Sequence, residues 1–222
     1  MELREVIPSV KEYVLRRIEE FRELGEKGRT RYDFSPFLDL KFEAGIFSEL
    51  CFCLLTANFS AVVGLKIQAE LGDEGFMELS YDRLTDILSK HGHRFAGQRA
   101  RRIVEARQKF PIIQEALRRE KNSKVLRDML SRPDSTLKVN GFGYKEASHF
   151  LRNVGREDVA IIDRHVRRFL VERGMMEEVK TLTRKRYLEA EGALRKLGEE
   201  LGLSHAELDL YIFYLKTKKV LK

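Results

Sequence analysis

The chain has 222 residues, 43% of them hydrophobic and 35% charged, which supports a folded protein with a sizeable core and argues against intrinsic disorder. Its 42 lysines and arginines exceed its 35 aspartates and glutamates, so the formal net charge of +7 favours a polyanionic partner. No apolar run is long enough for a membrane span, and the N-terminal 20 residues mix both charge signs. We therefore expect a cytoplasmic protein without a signal peptide or a membrane anchor.

The N-terminal part of the chain is predicted to form two helices. Apolar residues recur at helical spacing over 3–21, and Gly25 and Gly28 are expected to end this helix. The dipeptide Ser35-Pro36 has the residue types of a helix N-cap and first turn, and it leads toward a strongly apolar segment at about 44–57. That segment is expected to be a core helix.

Neither the two cysteines nor the His-x-His pair in the first half of the chain indicates a metal or redox site. Cys51 and Cys53 lie one residue apart, too close for an ordinary disulfide within a helix, and no other thiol accompanies them. We expect both to be buried hydrophobic side chains. His91 and His93 form a His-x-His pair, but no further ligands follow at metal-binding spacing, so we expect no metal there.

The middle and end of the chain also show helical patterns. Ser60 is expected to start one helix, another covers about 79–88, and an arginine-rich helix follows the turn at 91–97. Pro111 is expected to begin a shorter helix, a further helix is predicted over 183–201, and Ser204 is expected to begin the last one. We find no strand-like alternation of useful length, no internal repeat and no low-complexity linker.

A helix-hairpin-helix unit is predicted around two glycines. Gly141 and Gly143 bracket one apolar residue, so the backbone can turn tightly there and approach another surface closely. Helical spacing continues over 144–153, and the run at 123–130 supplies the preceding helix. Backbone amides at such a hairpin, next to the positive end of a helix dipole, form an anion site suited to a nucleic-acid phosphate.

Two residues near this hairpin are candidates for chemistry. Lys145 falls in the first turn of the second helix, where the dipole disfavours a positive charge, so the position suits a nucleophilic amine better than a structural lysine. Asp163 follows the apolar run 160–162 and is placed to cap the next helix. One helix and one loop separate the two residues, so a chain reversal could bring them to the mouth of one cleft.

The resulting fold prediction is all-α, with two helical lobes flanking a cleft and forming one functional unit. One lobe is expected to combine 1–57 with 166–222. The other is expected to comprise 58–165 and to contain the hairpin at 124–154.

The hairpin and the segments around it resemble a known group of enzymes. The run GFGYK at 141–145, followed by IIDRH at 161–165, resembles the helix-hairpin-helix and catalytic-aspartate signature of the endonuclease III superfamily of DNA glycosylases. The sequences KEASHFLRNVG at 145–155 and LLTANFSA at 54–61, with lysine as the last residue, are similar to the compact archaeal-type 8-oxoguanine DNA glycosylase/AP lyases. The resemblance covers most of the chain.

The resemblance implies a bifunctional base-excision repair enzyme that acts on double-stranded DNA as a monomer. Lys145 would attack the sugar and Asp163 would assist it. The backbone of the DNA would be bound by Asn140, Gly141 and Gly143, with a further phosphate contact from His165. No cofactor is expected apart from a monovalent cation at the hairpin.

The resemblance also implies residues that read the DNA duplex and the lesion. Asn58 would fill the gap left by an extruded base, although an asparagine also commonly terminates a helix. Arg94 and Phe95 would contact the base opposite the lesion, although both residue types are ordinary at a helix junction. Lys222 would recognise the lesion through its α-carboxylate, although a frayed basic tail is the common state of a C-terminus.

Two other functions remain open at the level of the sequence. A non-catalytic helix-hairpin-helix module would need the glycines, but it would need neither Lys145 nor Asp163. An endonuclease III-like enzyme for oxidised pyrimidines would share the catalytic pair. Some relatives of that kind carry an iron-sulfur cluster held by four cysteines. This chain cannot hold such a cluster, because it has no cysteine after residue 53.

Overall fold

The structure, a computed structural model, describes residues 2–222 and is mostly helical. The all-α prediction is confirmed. Within residues 2–222 the helices are α1 (Leu3–Lys27), α2 (Ile46–Leu55), α3 (Ala61–Glu78), α4 (Tyr81–Lys90), α5 (Ala96–Arg119), α6 (Ser123–Ser131), α7 (Tyr144–Asn153), α8 (Arg164–Glu172), α9 (Arg184–Leu201) and α10 (His205–Thr217). None of these helices is both long enough and apolar enough to cross a membrane.

A short β-hairpin corrects the expectation that the chain contains no strands. Strands β1 (Arg29–Asp33) and β2 (Lys41–Gly45) pair in antiparallel register between α1 and α2. The alternation in β1 is brief, because only Thr30 and Tyr32 are buried. Ser35-Pro36 lies in the connection between the strands and not at a helix start, so that prediction was wrong.

Most predicted helix starts are confirmed. The side chains of Ser60, Thr183 and Ser204 each accept a hydrogen bond from a backbone N–H of the following helix, as N-cap residues do. Pro111 is an exception, because it lies inside α5 and does not begin a helix of its own.

The core is organised around α2. All of its residues from Phe47 to Leu55 are buried, and the helix packs against α3, α5 and α7. A helix that is enclosed on every side needs an apolar surface all round, which explains its composition. One acid, Glu49, is enclosed with the apolar residues.

The two ends of the chain lie side by side. Helix α1 packs against α10, and α10 also contacts α8 and α9. On the other side of the molecule, α4 packs along α5. The lobe boundaries that we assigned from the sequence stay a prediction.

Candidate active site

The hairpin between α6 and α7 has a backbone that requires glycine. Gly141 adopts φ +99°, a conformation that residues with a Cβ rarely occupy. A Cβ at this position would also lie 2.8 Å from the side chain of Arg102 on α5. Val139 and Phe142 are buried beneath the turn, and the Phe142 N–H donates to the Val139 carbonyl at 3.0 Å. The hairpin is therefore a rigid turn anchored by apolar packing.

Donor groups at the hairpin already hold anionic oxygens of the protein. The Asn140 Nδ2 donates to a carboxylate oxygen of Glu105 at 2.8 Å. The backbone N–H of Gly143 donates to Glu146 at 3.0 Å. Phosphate oxygens are acceptors of the same kind, so these two donors are suited to a nucleic-acid backbone.

Lys145 and Asp163 both lie at the N-terminal ends of helices. The Lys145 side chain, 27% exposed at the start of α7, lies 3.6 Å from the Glu146 carboxylate. Asp163 caps α8 through one oxygen, Oδ1, which accepts from the N–H groups of His165 and Val166 at 2.8 Å each. The cap predicted from the sequence is therefore confirmed.

A third ionisable residue lies within reach of the charges of both Lys145 and Asp163. Asp209 of α10 has a side chain only 14% exposed, and burial is the main cause that raises its pKa to about 7. The negative charge of Asp163 raises the same pKa, while the positive charges of Arg152 and Lys145 lower it. Both candidate catalytic residues therefore lie close enough to influence Asp209.

The C-terminal tail is docked in the molecule. Val220, Leu221 and Lys222 are all at least 95% buried, so the frayed tail left open by the sequence does not occur. The Lys222 ammonium donates to a Glu49 carboxylate oxygen at 2.5 Å and to Gln68 Oε1 at 2.7 Å. Burial lowers the pKa of Lys222 to about 8, although Glu49 opposes this shift.

His149 connects the start of α7 with the end of the chain. It lies one helical turn after Lys145, is buried, and its ring faces the backbone of Lys222 without a well-formed hydrogen bond. Burial keeps its pKa well below the ordinary value, and the charges of Arg152, Lys145 and Lys222 act in the same direction. The imidazole is therefore neutral, and it lies within reach of both Lys145 and the tail.

Two predicted DNA-contacting turns are held together by the residues between them. Asn58 is exposed, with a positive φ of 58°, in the turn between α2 and α3. Arg94 and Phe95 are exposed in the turn between α4 and α5, with the guanidinium 4.5 Å from the ring centroid. His93 stacks on Phe59 at 4.0 Å between ring centroids, so the two turns form one surface.

Two hydrogen bonds reinforce that surface. The His93 ring donates from Nε2 to the Leu55 carbonyl at 2.9 Å, and Arg99 donates to the Ala57 carbonyl at 2.8 Å. His93 is thus a buried structural residue. Within residues 2–222 no cluster of three or more potential metal ligands forms.

The comparison with known families identifies the family of this chain. A family model described as 8-oxoguanine DNA glycosylase matches residues 14–203. The chain belongs to the 8-oxoguanine DNA glycosylase family. The matched segment contains Lys145 and Asp163 with the whole hairpin, while Lys222 lies beyond it.

Relatives of this glycosylase match along its whole length. It is 60% identical to the 8-oxoguanine DNA glycosylase/AP lyase of Aquifex aeolicus, over 100% of this chain and 98% of that protein. The crystal structure of the Methanocaldococcus jannaschii 8-oxoguanine glycosylase/lyase in complex with 15mer DNA containing 8-oxoguanine matches with a TM-score of 0.83 and 44% identity, covering 100% of both chains. The 8-oxoguanine DNA glycosylase of Thermotoga maritima matches with a TM-score of 0.84 and 39% identity, covering 99% of this chain and 96% of that one.

Three residues near the candidate site of this glycosylase, two of them buried and Asp209 largely so, were missed from the sequence. Glu49 is a single acid in an apolar helix, a pattern that could have marked it. His149 follows Lys145 by four residues and so lies on the same face of α7, which was a usable signal. Asp209 stands between two leucines in α10 and gave no comparable signal.

Proposed function

We infer that this chain is a bifunctional DNA glycosylase and AP lyase that removes 8-oxoguanine from double-stranded DNA and then cleaves the strand. The observation that carries this function is the placement of an amine, Lys145, beside the hairpin and in one region with Asp163, in a chain that belongs to the family along its length. We propose that it works as a monomer. Because its substrate is genomic DNA, we also propose a cytoplasmic, nucleoid-associated location.

Lys145 is the proposed nucleophile. The damaged nucleotide must leave the duplex before its sugar can be attacked. The neutral amine then attacks the anomeric carbon, the bond from that carbon to the base breaks, and the base departs with the bonding electrons and takes up a proton. Loss of a proton from nitrogen and opening of the sugar ring leave a Schiff base between Lys145 and the DNA.

The Schiff base accounts for the second activity. Its positive nitrogen makes the neighbouring sugar carbon acidic. Removal of a proton from that carbon expels the 3′ phosphate and cleaves the strand by β-elimination. A water nucleophile would release the base without forming this intermediate, so the amine is what couples the two steps.

Asp163 is the proposed partner of the nucleophile. Its carboxylate is held by two backbone N–H groups at the positive end of α8, so it is kept in one orientation. From there it can accept the proton of Lys145 and stabilise the positive charge that develops on the sugar as the base leaves.

The hairpin residues Asn140, Gly141 and Gly143 are proposed to bind the DNA backbone, with His165 as a further phosphate contact. His165 is half-buried at the first turn of α8, close to Asp163, and its ring packs edge-on against Phe213. A phosphate at the hairpin would accept hydrogen bonds from Asn140 Nδ2 and the Gly143 N–H, which now donate to carboxylates of the protein.

A lysine is proposed to supply the positive charge that a bound monovalent cation would bring to the hairpin. The Lys138 ammonium donates to the carbonyl of Ser131 at 2.6 Å and also to the carbonyl of Phe142 at the tip of the turn. Lys138 therefore brings a fixed positive charge to these carbonyls, and we propose that the enzyme needs no cofactor apart from the monovalent cation expected at the hairpin.

The surface formed by the Asn58 turn and the Arg94–Phe95 turn is proposed to face the duplex. Asn58 would fill the gap behind the extruded base, while Arg94 and Phe95 would contact the opposite strand. An exposed aromatic ring with an arginine beside it suits stacking on a base together with contact to a phosphate.

The α-carboxylate of Lys222 is the proposed reader of the lesion. 8-Oxoguanine has a proton on nitrogen 7, where guanine has a lone pair, so an acceptor in the pocket favours the oxidised base and rejects guanine. The docked tail supports this role, because a frayed terminus would present no fixed acceptor.

The substrate preference of the enzyme is tested with a panel of duplexes that carry 8-oxoguanine, guanine or an oxidised pyrimidine at one position. We expect free base to be released from the 8-oxoguanine duplex far faster than from the others. Faster release of the oxidised pyrimidine would favour an endonuclease III-like enzyme, and binding without any release would favour a non-catalytic DNA-binding module.

A further inference from the structure

Glu49 is a carboxylate at the centre of the core. It is fully buried, and a buried charge destabilises a fold unless it is paired and hydrogen-bonded. Its Oε1 accepts from Asn153 Nδ2 at 2.5 Å. Its Oε2 accepts from Tyr32 and Gln68 at 3.2 Å each and from the Lys222 ammonium at 2.5 Å. Lys222 is the cationic member of this set of partners.

The Lys222 ammonium occupies a site shaped for it. Its Nζ lies 4.0 Å from the ring centroid of Tyr32 and 4.4 Å from that of Phe52. Gln68 Oε1 accepts a second hydrogen bond from it at 2.7 Å. Two acceptors and two aromatic faces together satisfy a desolvated cation. The side chain is therefore committed to the core, and only the terminal carboxylate and the backbone of Lys222 remain to contact a base.

Glu49 also connects the tail to the helix of the nucleophile. Asn153, which donates to Glu49, is the last residue of α7, and Lys145 lies in the first turn of the same helix. Between them, the His149 ring lies against the Lys222 backbone. One carboxylate of α2 thus fixes the end of the chain relative to the helix that carries Lys145.

We propose that Glu49 is a positioning residue for lesion recognition, because it holds the Lys222 side chain so that the terminal carboxylate stays at a fixed place beside Lys145. The proposal rests on the proposed function of that carboxylate as the reader of 8-oxoguanine. It adds that the lysine side chain at position 222 is required, although it never touches the base.

The test compares Glu49→Gln, Lys222→Met and the double variant. Each keeps a terminal carboxylate on a chain of unchanged length. We expect each single variant to lower the single-turnover rate of 8-oxoguanine release by roughly tenfold to a hundredfold, because a displacement of about 1 Å is enough for such a loss. Cleavage of a preformed abasic site should stay close to the wild-type rate. Lys219→Met removes a charge from the same tail and should leave both activities unchanged.

The double variant separates positioning from stability. Each single variant leaves a buried charge without its partner and should lower the melting temperature, whereas the double variant removes both charges and should regain stability. We expect 8-oxoguanine release to remain slow in the double variant. Recovery of release together with stability would mean that Glu49 only stabilises the fold, and would overturn the proposal.

Deletion of Lys222 distinguishes this proposal from the proposed function on which it rests. If the deletion leaves 8-oxoguanine release intact, the terminal carboxylate does not read the base and both ideas fail. If the deletion abolishes release but Glu49→Gln and Lys222→Met do not slow it, the carboxylate reads the base without Glu49, and only the positioning role fails.

Discussion

At the scale of single residues, Asp163 combines a structural and a chemical role that one substitution can separate. Asparagine caps helices about as well as aspartate, but it can neither accept a proton nor carry the negative charge. We expect Asp163→Asn to melt close to wild type and to lose base excision by on the order of a hundredfold or more. Single-turnover kinetics and thermal unfolding of the same preparation measure both quantities. A variant that melts and excises as wild type would reduce Asp163 to a cap.

Asp209 provides a prediction about pH. Because its pKa is about 7 in the folded protein against 3.8 as the ordinary value, the folded state binds this proton more tightly between those pH values. The free energy of unfolding should therefore fall as the pH rises through this window, by at most about 1.4 kcal/mol per pH unit for one proton. Asp209→Asn should flatten this dependence in urea denaturation at several pH values.

The exposed Asp86 on α4 is the matched control for Asp209. Asp86→Asn removes a carboxylate from solvent and should keep the wild-type pH dependence. Equal slopes for wild type and Asp209→Asn would contradict a raised pKa at Asp209.

The residues predicted from the sequence are those that a local pattern marks. Lys145 in a first turn and Asp163 at a cap are visible because helix ends constrain residue type. Glu49 and His149 act through partners distant in the chain: Lys222 lies 173 residues after Glu49. A single sequence carries no direct record of such pairings, so their partners emerged only from the packing.

At the scale of elements, one substitution in the hairpin tests whether its backbone conformation is needed for DNA binding. Gly141→Ala would place a Cβ at a positive φ and against Arg102, so the turn must distort. We expect weaker binding to an abasic-site duplex, together with a loss of stability of about 1–2 kcal/mol. Fluorescence anisotropy and urea denaturation measure the two effects.

Gly174 provides the matched control at the element scale. Its φ is +65°, but a Cβ there would meet nothing within 4 Å. Gly174→Ala should lose a similar or smaller amount of stability and keep its affinity for DNA. If both variants bind DNA as wild type, the hairpin turn is not a backbone clamp.

The starts of most helices were predictable from the sequence, whereas the β-hairpin and the continuation of α5 through Pro111 were not. Serine and threonine caps mark helix starts by a local hydrogen bond, which explains why Ser60, Thr183 and Ser204 were recognised correctly. The β-hairpin was missed because each strand has five residues, too few for alternation to be distinctive. Pro111 was misjudged because a proline does not always begin a helix: in α5 the chain continues through it.

At the scale of the whole molecule, the fold brings distant parts of the chain to one region. Lys145 lies in the hairpin unit, Asp209 in the last long helix, and Lys222 at the very end, yet the charges of Lys145 and Lys222 both act on His149. The net charge of +7 suits a DNA partner, but the placement of the site depends on how the two ends of the chain pack together.

The Lys145 amine is proposed to form a covalent Schiff base with DNA. This intermediate is detected by incubating the protein with an 8-oxoguanine duplex under borohydride, which reduces it to a stable adduct. We expect wild type and Lys196→Gln, which alters an exposed lysine on α9, to be trapped on the DNA. Lys145→Gln should give no adduct and no strand cleavage while still binding the duplex. An adduct that persists in Lys145→Gln would assign the nucleophile to another amine and rule out the proposed role of Lys145.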